Sequence, residues 1–506
     1  MRYFPLYINN QFVDASDGGR FRTRNAATGE PVSEFAAATA QDVDRACRSA
    51  RAAFPAWSAL DANIRAGYLL KIADGIKRRF REMAECEAME AGKVIGATTT
   101  LDIPYSIEAF EYFAGICREI KGEVLPVHGG RGNKTFDFVT YEPYGVAAII
   151  APYNFPLHLM TRSMAPALAA GNTVVCKASS MTSSTLGILS EICAEAGLPE
   201  GVVNVVHGSG GLIGEALCMH PDVDVIGFTG SEAVGRQLLH YASCSPVMKK
   251  CVLELGGKGP TIVEPDCDME EALNAQLNGF TYNQGEVCCA MTRLILHEDI
   301  YDEFLERLAA KAAAHHIGDP LDPDATMTCI IHQEHADEIH AAVQLAVEQG
   351  AKVYCGGRQL TGGIYDKGAY YLPTILTDVT PEMTCFQAEI FGPVLTVTKY
   401  KTLEEAIALA NNTSFGLGAN LFTSDLRKAY WATKKLAAGT VWVNMENGSQ
   451  MHTPFGGNKN SGMGREYGTY GLHEYLRAKN NVWNMRLPTH EPYGGEDDYT
   501  KTVWRD

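Results

Sequence analysis

Two adjacent thiols, Cys288 and Cys289, follow a polar stretch that contains a glycine, with the sequence NQGEV. A polar turn of this kind exposes side chains at a cleft, and intracellular enzymes use a cysteine in such a place as a nucleophile. In the alternative interpretation both thiols are buried and behave as small hydrophobic groups. The segment alone leaves both interpretations open.

Two further segments carry side chains suited to acid–base chemistry and charge stabilisation. Glu254 lies between two leucines and directly before two glycines, at the end of a strand candidate. Either it is a solvated charge at the edge of a sheet, or it is a desolvated carboxyl whose raised pKa suits a general base. Asn154 lies in a loop stiffened by Pro152 and Pro156, where a fixed amide donor could stabilise an oxyanion.

Two strand ends predict a place for an anionic cofactor. The sequence FTGSEAVG at residues 228–235 follows an apolar run and opens a helix, so its glycines, Gly230 and Gly235, suit a pyrophosphate at the helix N-terminus. This is not the GxGxxG pattern, and by itself it is a weak signal of dinucleotide binding. Lys177 directly follows another apolar run and is well placed for a ribose or a phosphate.

Short apolar runs that alternate with helical patterns must position these residues. The runs occur at residues 146–150, 173–176, 202–206 and 225–228, and the pattern starts again after Glu254 at 260–263, 293–296, 352–354 and 394–397. Continuous apolar strands that alternate with helices are typical of a parallel sheet covered on both faces, which binds ligands at the carboxyl ends of its strands. We therefore predict an α/β fold with a doubly wound sheet and a second α/β domain.

Two local patterns precede this region. Residues 6–8 and 11–13 flank an Asn-Asn pair and predict a hairpin. An apolar residue at every fourth position from Ile64 to Phe80 predicts one long amphipathic helix.

The composition excludes several classes of function. The 506 residues are 46% hydrophobic and 20% charged, as in an ordinary soluble multidomain protein, and the net charge of −17 argues against nucleic acid or an anionic membrane as a partner. The 14 cysteines form no CxxC pair, which is typical of free thiols in a reducing compartment, so we expect a cytoplasmic protein. His332, His335 and His340 have helical spacing but no metal-ligand motif, and we expect a solvated helix face and no metal site.

Taken together, the motifs resemble the aldehyde dehydrogenase superfamily over roughly residues 6–485. The resemblance rests on the order of PYNFP at 152–156, Lys177, FTGS at 228–231, ELGGK at 254–258, GEVC at 285–288, EIFGP at 389–393 and PFGG at 454–457. It implies a Rossmann-like NAD(P)-binding domain (1–124 and 144–253) and an α/β catalytic domain (254–455). It also implies a small β oligomerisation element with a C-terminal arm (125–143 and 470–506), in a homodimer or homotetramer.

The resemblance also implies a role for each matching residue. Cys288 would be the nucleophile, Asn154 and the backbone N–H of Cys288 would hold the oxyanion, and Glu254 would activate water. Lys177 would contact the cofactor ribose, and Gly230 and Ser231 would contact the pyrophosphate. Glu389 and Phe391 would contact the nicotinamide ribose and ring. Since an ordinary thiol is mostly protonated at neutral pH, we expect nearby donors or positive charge to lower the pKa of Cys288.

Two positions depart from the family pattern near the thiol and the cofactor. The usual glutamine before the cysteine segment is Glu286, and we expect this carboxylate to point away from the thiol. The acidic residue that usually follows the strand lysine, and that repels a 2′-phosphate, is Ser180. The cofactor is therefore expected to be NAD or NADP.

A third departure bears on the substrate. Arg162 lies on a helix that we expect to line the substrate tunnel. The other residues expected to line this tunnel are Phe155, Tyr282 and Cys289. An arginine there resembles family branches that act on aromatic, hydroxy- or carboxylate-bearing aldehydes, but it could equally form a structural ion pair. Tyr282 stands where a succinate-semialdehyde enzyme would carry a second arginine, and this weakens that particular assignment.

The predicted reaction is the NAD(P)-dependent oxidation of an aldehyde to a carboxylic acid through a cysteine thiohemiacetal and thioester. A CoA-acylating semialdehyde dehydrogenase would use the same cysteine, but such relatives generally lack the hydrolytic glutamate. A catalytically idle binding protein of the same fold is the alternative from a different class. It is disfavoured because Asn154, Glu254 and Cys288 are all present.

Overall fold

A computed structural model of the chain describes residues 1–125 and 135–484. Its strands are β1 (Arg2–Phe4), β2 (Leu6–Ile8), β3 (Gln11–Val13), β4 (Arg20–Arg24), β5 (Pro31–Ala36), β6 (Glu123–Leu125), β7 (Thr135–Pro143), β8 (Val146–Ile150), β9 (Thr173–Lys177), β10 (Val203–Val205), β11 (Val225–Thr229), β12 (Lys250–Glu254), β13 (Pro260–Val263), β14 (Arg293–His297), β15 (Lys352–Cys355), β16 (Thr374–Thr377), β17 (Val394–Tyr400), β18 (Gly418–Phe422), β19 (Thr440–Val443), β20 (Gly462–Met463) and β21 (Leu476–Asn484).

The α-helices alternate with these strands through most of the chain. They are α1 (Ala40–Ser58), α2 (Ala62–Arg78), α3 (Phe80–Ala91), α4 (Ile95–Ala97), α5 (Ile103–Ile116), α6 (Pro156–Ala170), α7 (Ser184–Glu195), α8 (Gly210–Cys218), α9 (Glu232–Cys244), α10 (Met269–Thr281), α11 (Tyr301–Ala313), α12 (Gln333–Glu348), α13 (Thr384–Gln387), α14 (Leu403–Asn411), α15 (Leu426–Lys435) and α16 (Gly468–Glu474).

The first large sheet has the strand order β20-β12-β11-β8-β9-β10-β2-β3. The five strands from β8 to β12 run parallel, and their apolar residues are buried because helices cover both faces. Strands β2, β3 and β20 add antiparallel edges. The carboxyl ends of β8, β9, β11 and β12 therefore meet at one edge of the sheet.

The second large sheet has the order β15-β16-β17-β14-β13-β18-β19 and is parallel except for β15. The predicted α/β class with parallel sheets is thus confirmed. The proposed domain boundaries remain a prediction.

A separate three-stranded sheet joins the middle of the chain to its C-terminal part. Strand β21 pairs antiparallel with β7, from Leu476 opposite Pro143 to Asn484 opposite Thr135, and β6 pairs with the other edge of β7. This sheet contains described parts of the predicted oligomerisation element. Residues 126–134 and 485–506 of that element and arm lie outside the described residues.

The hairpin predicted around the Asn-Asn pair is confirmed, since β2 and β3 pair antiparallel and both asparagines have positive φ. The long helix predicted from Ile64 to Phe80 is confirmed as far as Arg78, but it does not continue to Phe80. Helix α2 ends at Arg78, and α3 begins at Phe80 after Arg79 leaves helical geometry. The N–H of Arg79 still donates to carbonyls of the last turn of α2, so the apolar spacing continues across a break in the backbone.

In the described part of the chain, no helix combines the length and the apolar character that crossing a membrane requires. Within the same residues, no group of three or more His, Cys, Asp or Glu side chains is placed to hold a metal ion.

Candidate active site

The candidate site lies where four parallel strands of the first sheet end. Ile150, Lys177, Thr229 and Glu254 are the last residues of β8, β9, β11 and β12, and Thr229 stands opposite Glu254 in the register. The loop with Asn154 joins the end of β8 to helix α6. The end of the sheet thus brings the carboxyl, the amide and the lysine to one edge, as the sequence predicts.

The turn with the two thiols is fixed by its backbone. Helix α10 ends at Thr281, and Asn283 and Gln284 follow with positive φ values of 48° and 56°. The Gln284 amide donates to the Gly92 carbonyl at 2.8 Å. A Cβ on Gly285 would stand 2.3 Å from the Gly392 carbonyl oxygen, so this close approach requires glycine. The chain therefore holds Cys288 at a defined place in the cleft.

Asn154 is buried, and both its side-chain amide and its backbone carbonyl are hydrogen-bonded. Its Nδ2 donates to the Glu286 carbonyl at 2.9 Å, and its own carbonyl accepts from Lys93 Nζ at 3.0 Å and from Asn283 Nδ2 at 3.3 Å. Cys288 and Asn154 both line the same cavity. An amide donor and a thiol therefore border the same cavity, as the addition of a thiol to a carbonyl requires.

Glu254 is a desolvated carboxyl, and the solvated-edge alternative is excluded. It is 2% exposed, and neither of its oxygens has a hydrogen-bond partner among the described residues. Burial raises the pKa of Glu254 well above its usual range, and the Arg162 guanidinium opposes that shift. A carboxyl with a raised pKa is a stronger base once it is ionised.

The pKa of Cys288 moves in the opposite direction to the expectation. The hydrogen bond with the Cys289 thiol, followed by burial, raises the pKa of Cys288 well above its usual range, and the Arg162 guanidinium lowers it. The expected net lowering is therefore wrong in this structure. The reason is that the thiol faces a second thiol in a desolvated turn, and one guanidinium does not offset both.

A cavity of about 900 Å³ extends from the thiol along the end of the first sheet. Predicted residues that line it are Cys288, Asn154, Lys177, Gly230, Ser231, Glu389 and Phe391. Ser231 caps α9 by accepting from the N–H of Val234 at 3.4 Å, which leaves the start of that helix facing the cavity. Glu389 accepts from the Gly257 N–H at 2.9 Å, and burial raises its pKa to about 7.

Ser180 is not among the residues that line this cavity. Ser179 takes that place beside Lys177, and Ser180 lines a neighbouring cavity of about 820 Å³. His332 borders both cavities, so the two lie side by side.

Arg162 lies on the fully buried helix α6 and is 3% exposed. Its Nη2 donates to Thr229 Oγ1 at 2.9 Å, and its Nε has no partner. Among the described residues no carboxylate oxygen lies within 4.0 Å of the guanidinium, so the alternative of a structural ion pair is not met there. The guanidinium carbon lies 5.6 and 5.7 Å from the ring centroids of Tyr467 and Phe455.

The other predicted tunnel residues belong to an aromatic cluster on the side of Arg162. The rings of Phe155 and Tyr282 stack with centroids 6.4 Å apart, and His158 lies edge-on to Phe155. The Tyr282 hydroxyl is buried without a partner among the described residues. Cys289 packs on the same core, and its carbonyl accepts from Asn447 at 2.5 Å. The four predicted tunnel residues, Phe155, Arg162, Tyr282 and Cys289, do not line the large cavity. The Cys288 thiol therefore lies between that cavity and the aromatic cluster.

Sequence reasoning missed a polar cluster around Glu286. This carboxyl is fully buried, and Oε1 accepts from the Tyr153 hydroxyl at 3.0 Å and from the Ile331 N–H at 3.4 Å. His335 Nε2 lies 3.9 Å from Oε1 and 2.8 Å from the Phe391 carbonyl oxygen. The carboxyl therefore bonds Tyr153 and the Ile331 backbone, and it does not line the cavity that contains the thiol, as expected of a side chain that points away from the thiol. His335, predicted to lie on a solvated face, lines the cavity.

Comparison with known proteins adds an independent finding. Residues 12–481 match the profile of the family described as "Aldehyde dehydrogenase family". The chain is 39% identical over 480 residues to a putative aldehyde dehydrogenase, DhaS, of Bacillus subtilis, covering 94% of this chain and 95% of DhaS. It is also 39% identical over 478 residues to the cytosolic 10-formyltetrahydrofolate dehydrogenase of Xenopus tropicalis. That match covers 94% of this chain and 52% of the relative, so the chain spans about half the length of that protein.

Solved structures agree with the sequence match. PnpE from Pseudomonas sp. WBC-3 superposes with a TM-score of 0.93 at 40% identity, over 97% of this chain and 99% of PnpE. A PnpE structure in complex with nicotinamide adenine dinucleotide superposes with a TM-score of 0.92, over 96% of this chain and 98% of that one.

Proposed function

Because the chain belongs to the aldehyde dehydrogenase family, we propose that it oxidises an aldehyde to a carboxylic acid with NAD or NADP through a covalent bond to Cys288. The observation that carries this proposal is the convergence of Cys288, Asn154 and Glu254 at the end of one parallel sheet, beside a cavity of about 900 Å³.

The first step is the addition of the Cys288 sulfur to the aldehyde carbon. The thiol loses its proton to a base, the S–C bond forms, and the carbonyl π electrons move to the oxygen to give a thiohemiacetal oxyanion. Asn154 Nδ2 and the backbone N–H of Cys288 are the donors we assign to that oxyanion. Preorganised donors of this kind typically contribute about 2.7–4 kcal/mol each to the transition state.

The cofactor cavity fits an elongated anionic molecule. Gly210 and Gly214 line it, and no heavy atom lies within 4 Å of the place where a Cβ would stand, so the backbone borders open space. Lys177 and the start of α9 supply positive potential to the cavity lining, which also includes Glu389. When bound there, a nicotinamide dinucleotide supplies a two-electron acceptor for the hydrogen on the substrate carbon.

Hydrolysis of the resulting thioester is assigned to Glu254. The carboxylate accepts a proton from water, the water oxygen bonds to the acyl carbon, and the C–S bond breaks to release the carboxylic acid and return the sulfur to Cys288. The raised pKa of Glu254 supports this role, because the proton that it accepts is held more firmly than by an exposed carboxylate.

The substrate that we propose is an aromatic, hydroxy- or carboxylate-bearing aldehyde. Arg162 is buried beside the thiol, and its Nε has no partner among the described residues. The unpartnered Tyr282 hydroxyl lies in the neighbouring aromatic cluster. Buried hydrogen-bond donors without partners favour a substrate that carries hydrogen-bond acceptors. The aromatic rings beside them favour a planar substrate.

A homodimer or homotetramer is the assembly that we propose. The sheet of β6, β7 and β21 exposes Val124, Phe136, Val482 and Trp483, and two exposed strand edges with apolar side chains favour pairing with another copy. Light scattering coupled to size-exclusion chromatography tests this, and a monomer at micromolar concentration would contradict it.

The function is tested by following NAD(P)H formation with aliphatic, aromatic, hydroxy- and carboxylate-bearing aldehydes. We expect mass spectrometry to find an acyl adduct on the Cys288 peptide of the wild-type protein, and we expect Cys288→Ala to abolish both that adduct and turnover. Cys289→Ala is the matched control, since it removes the neighbouring thiol and should retain the adduct. Turnover by Cys288→Ala would refute the proposal, and acyl-CoA as the product would indicate the CoA-acylating alternative.

A further inference from the structure

The corner after helix α3 contacts both halves of the candidate oxyanion site. Gly92 ends the helix with a φ of 67°, and a Cβ there would stand 2.8 Å from the Cys329 carbonyl oxygen. The Gly92 carbonyl accepts from Gln284 Nε2, in the turn that leads to the thiols, and from the Thr328 hydroxyl. This corner is thus tied directly to the turn of Cys288.

The next residue, Lys93, is tied to the other half. Its side chain is fully buried, its Nζ donates to the Asn154 carbonyl at 3.0 Å, and it lies 3.6 Å from the ring centroid of Phe155. The ammonium therefore bonds the backbone of one residue and packs on the ring of the next. A buried charge–dipole contact of this kind fixes a loop more strongly than a neutral hydrogen bond does.

The acidic partner of Lys93 is Asp102, whose carboxylate lies 2.6 Å from Nζ and is also fully buried. Asp102 ends a π-helical segment, Thr98–Asp102, between α4 and α5. Such wide turns inside helical regions are frequent at functional sites. Glu87 faces the same cluster, where it accepts from the Leu157 N–H at 3.2 Å, and burial raises its pKa well above the usual range, which favours its neutral form.

We propose that Lys93 is a positioning residue for the oxyanion site: with Asp102 as its counter-ion it fixes the Asn154–Phe155 backbone, while the adjacent Gly92 carbonyl fixes the turn of Cys288. This inference rests on the proposed function, because it concerns the same site. Lys93 does not touch the reacting atoms, and its effect on the rate passes through Asn154.

The alternative is that Lys93 and Asp102 only stabilise the fold. Lys93→Met alone leaves a buried Asp102 without its counter-ion and is expected to destabilise the protein strongly. The informative protein is therefore the double variant Lys93→Met/Asp102→Asn, which removes both charges and leaves a neutral, space-filling pair. Its melting temperature and its binding of NAD, followed by the quenching of tryptophan fluorescence, report whether it is folded.

The test is a double-mutant cycle between this charge pair and Asn154. Asn154→Ala alone should lower kcat/KM by about 10²–10³, the typical effect of removing an oxyanion donor. If Lys93 acts through Asn154, the folded double variant loses about 10–100-fold in kcat/KM, and adding Asn154→Ala to it costs less than about tenfold more. Alkylation of Cys288 by iodoacetamide forms no oxyanion. It should therefore proceed at nearly the wild-type rate in Asn154→Ala and in the double variant.

Three outcomes would overturn the proposal. The first is a folded double variant with wild-type kcat/KM, and the second is a cycle in which the two losses multiply in full. The third is alkylation that slows in proportion to turnover, which would show that the thiol itself has been displaced. Failure of the proposed function is recognised separately, because it requires that Cys288→Ala remain active.

Discussion

The buried carboxyl of Glu286 makes a prediction that can be worked out from the structure. The side chain is fully buried, Oε1 accepts hydrogen bonds from Tyr153 and Ile331, and Oε2 has no partner among the described residues. Burial raises the pKa of Glu286 to about 7, and the nearby His335 opposes that shift. Glu286→Gln keeps the shape and the acceptor at Oε1 and removes the titration.

The sign of the effect follows from the raised pKa. In the unfolded chain the carboxyl titrates near its ordinary value of 4.5, and in the folded protein near 7. The protonated form is therefore favoured by folding, and its contribution to stability is fully present below pH 4.5 and is lost as the pH rises through 7. One pKa unit corresponds to about 1.36 kcal/mol. Between pH 5 and pH 8 the free energy of unfolding of the wild type should therefore fall by about 2–3 kcal/mol relative to that of Glu286→Gln.

The assay compares unfolding in urea for wild type and Glu286→Gln at pH 5, 6.5 and 8. Only the difference between the two proteins is used, because the other buried carboxyls titrate in both and cancel. Glu404→Gln, which removes an exposed carboxyl from α14, controls for the loss of one charge. We expect the variant to be the more stable protein at pH 8 and to retain its activity, since the Asn154 side chain contacts the backbone of Glu286. A difference that is the same at pH 5 and pH 8 would refute the reasoning.

Further outcomes are expected at three positions. In Glu254→Gln, rapid mixing should show that NAD(P)H formation slows already in the first turnover and that the steady state is about 10²–10⁴ slower, because both the thiol and the hydrolytic water have lost their base; an unchanged steady state would contradict the assignment. Arg162→Gln should lose about 10–100-fold in kcat/KM for a carboxylate-bearing aldehyde relative to an unsubstituted one, as expected for a lost charged hydrogen bond. An unchanged preference would remove Arg162 from substrate recognition. In Ser180→Glu, the ratio of kcat/KM for NADP to that for NAD should stay unchanged, because Ser180 lines the neighbouring cavity. A fall of that ratio by about tenfold, or about 1.4 kcal/mol, would contradict this placement and show that the residue faces the 2′ position.

The predicted site residues that the structure brings to one edge of the sheet share one property: the position of each is set by a local pattern. Glu254 ends a strand, Asn154 lies in a proline-stiffened loop, and Ser231 begins a helix, so strand and helix boundaries suffice to place them. Because parallel strands end at the same edge of a sheet, predicting the alternation of strands and helices also predicts that these residues meet.

Ser180 shows where that reasoning stops. It lies three residues beyond the end of β9, in a turn where a shift of one position decides which cavity a side chain faces. Spacing along the sequence does not contain the backbone dihedrals of such a turn. The break at Arg79 has the same origin, since the apolar spacing continues across it although the helix does not.

Lys93 and His335 were missed for a different reason. Lys93 is 61 residues from Asn154, and His335 is 56 residues from Phe391, so the contacts depend on how separate elements pack. The search for metal-ligand spacing around His335 addressed the wrong chemistry, because this histidine contacts a backbone carbonyl and lies near a buried carboxyl. The sequence nevertheless contained a signal for a polar cluster around Glu286. This residue departs from the family pattern, and an acid in a buried place needs polar neighbours such as His335.

The pKa directions in the site favour a direct exchange of protons between its two reacting groups. Burial contributes to raising the pKa of both Cys288 and Glu254, and Arg162 lowers both. Moving the thiol proton to the carboxylate leaves the number of negative charges unchanged in a desolvated space, so the cost of burying charge is incurred once rather than twice. A thiol with a raised pKa is then compatible with nucleophilic attack, provided that the base beside it is raised as well. The expectation that the pKa of Cys288 is lowered considered the thiol by itself. What proton transfer requires is a small difference between the pKa of Cys288 and the pKa of Glu254.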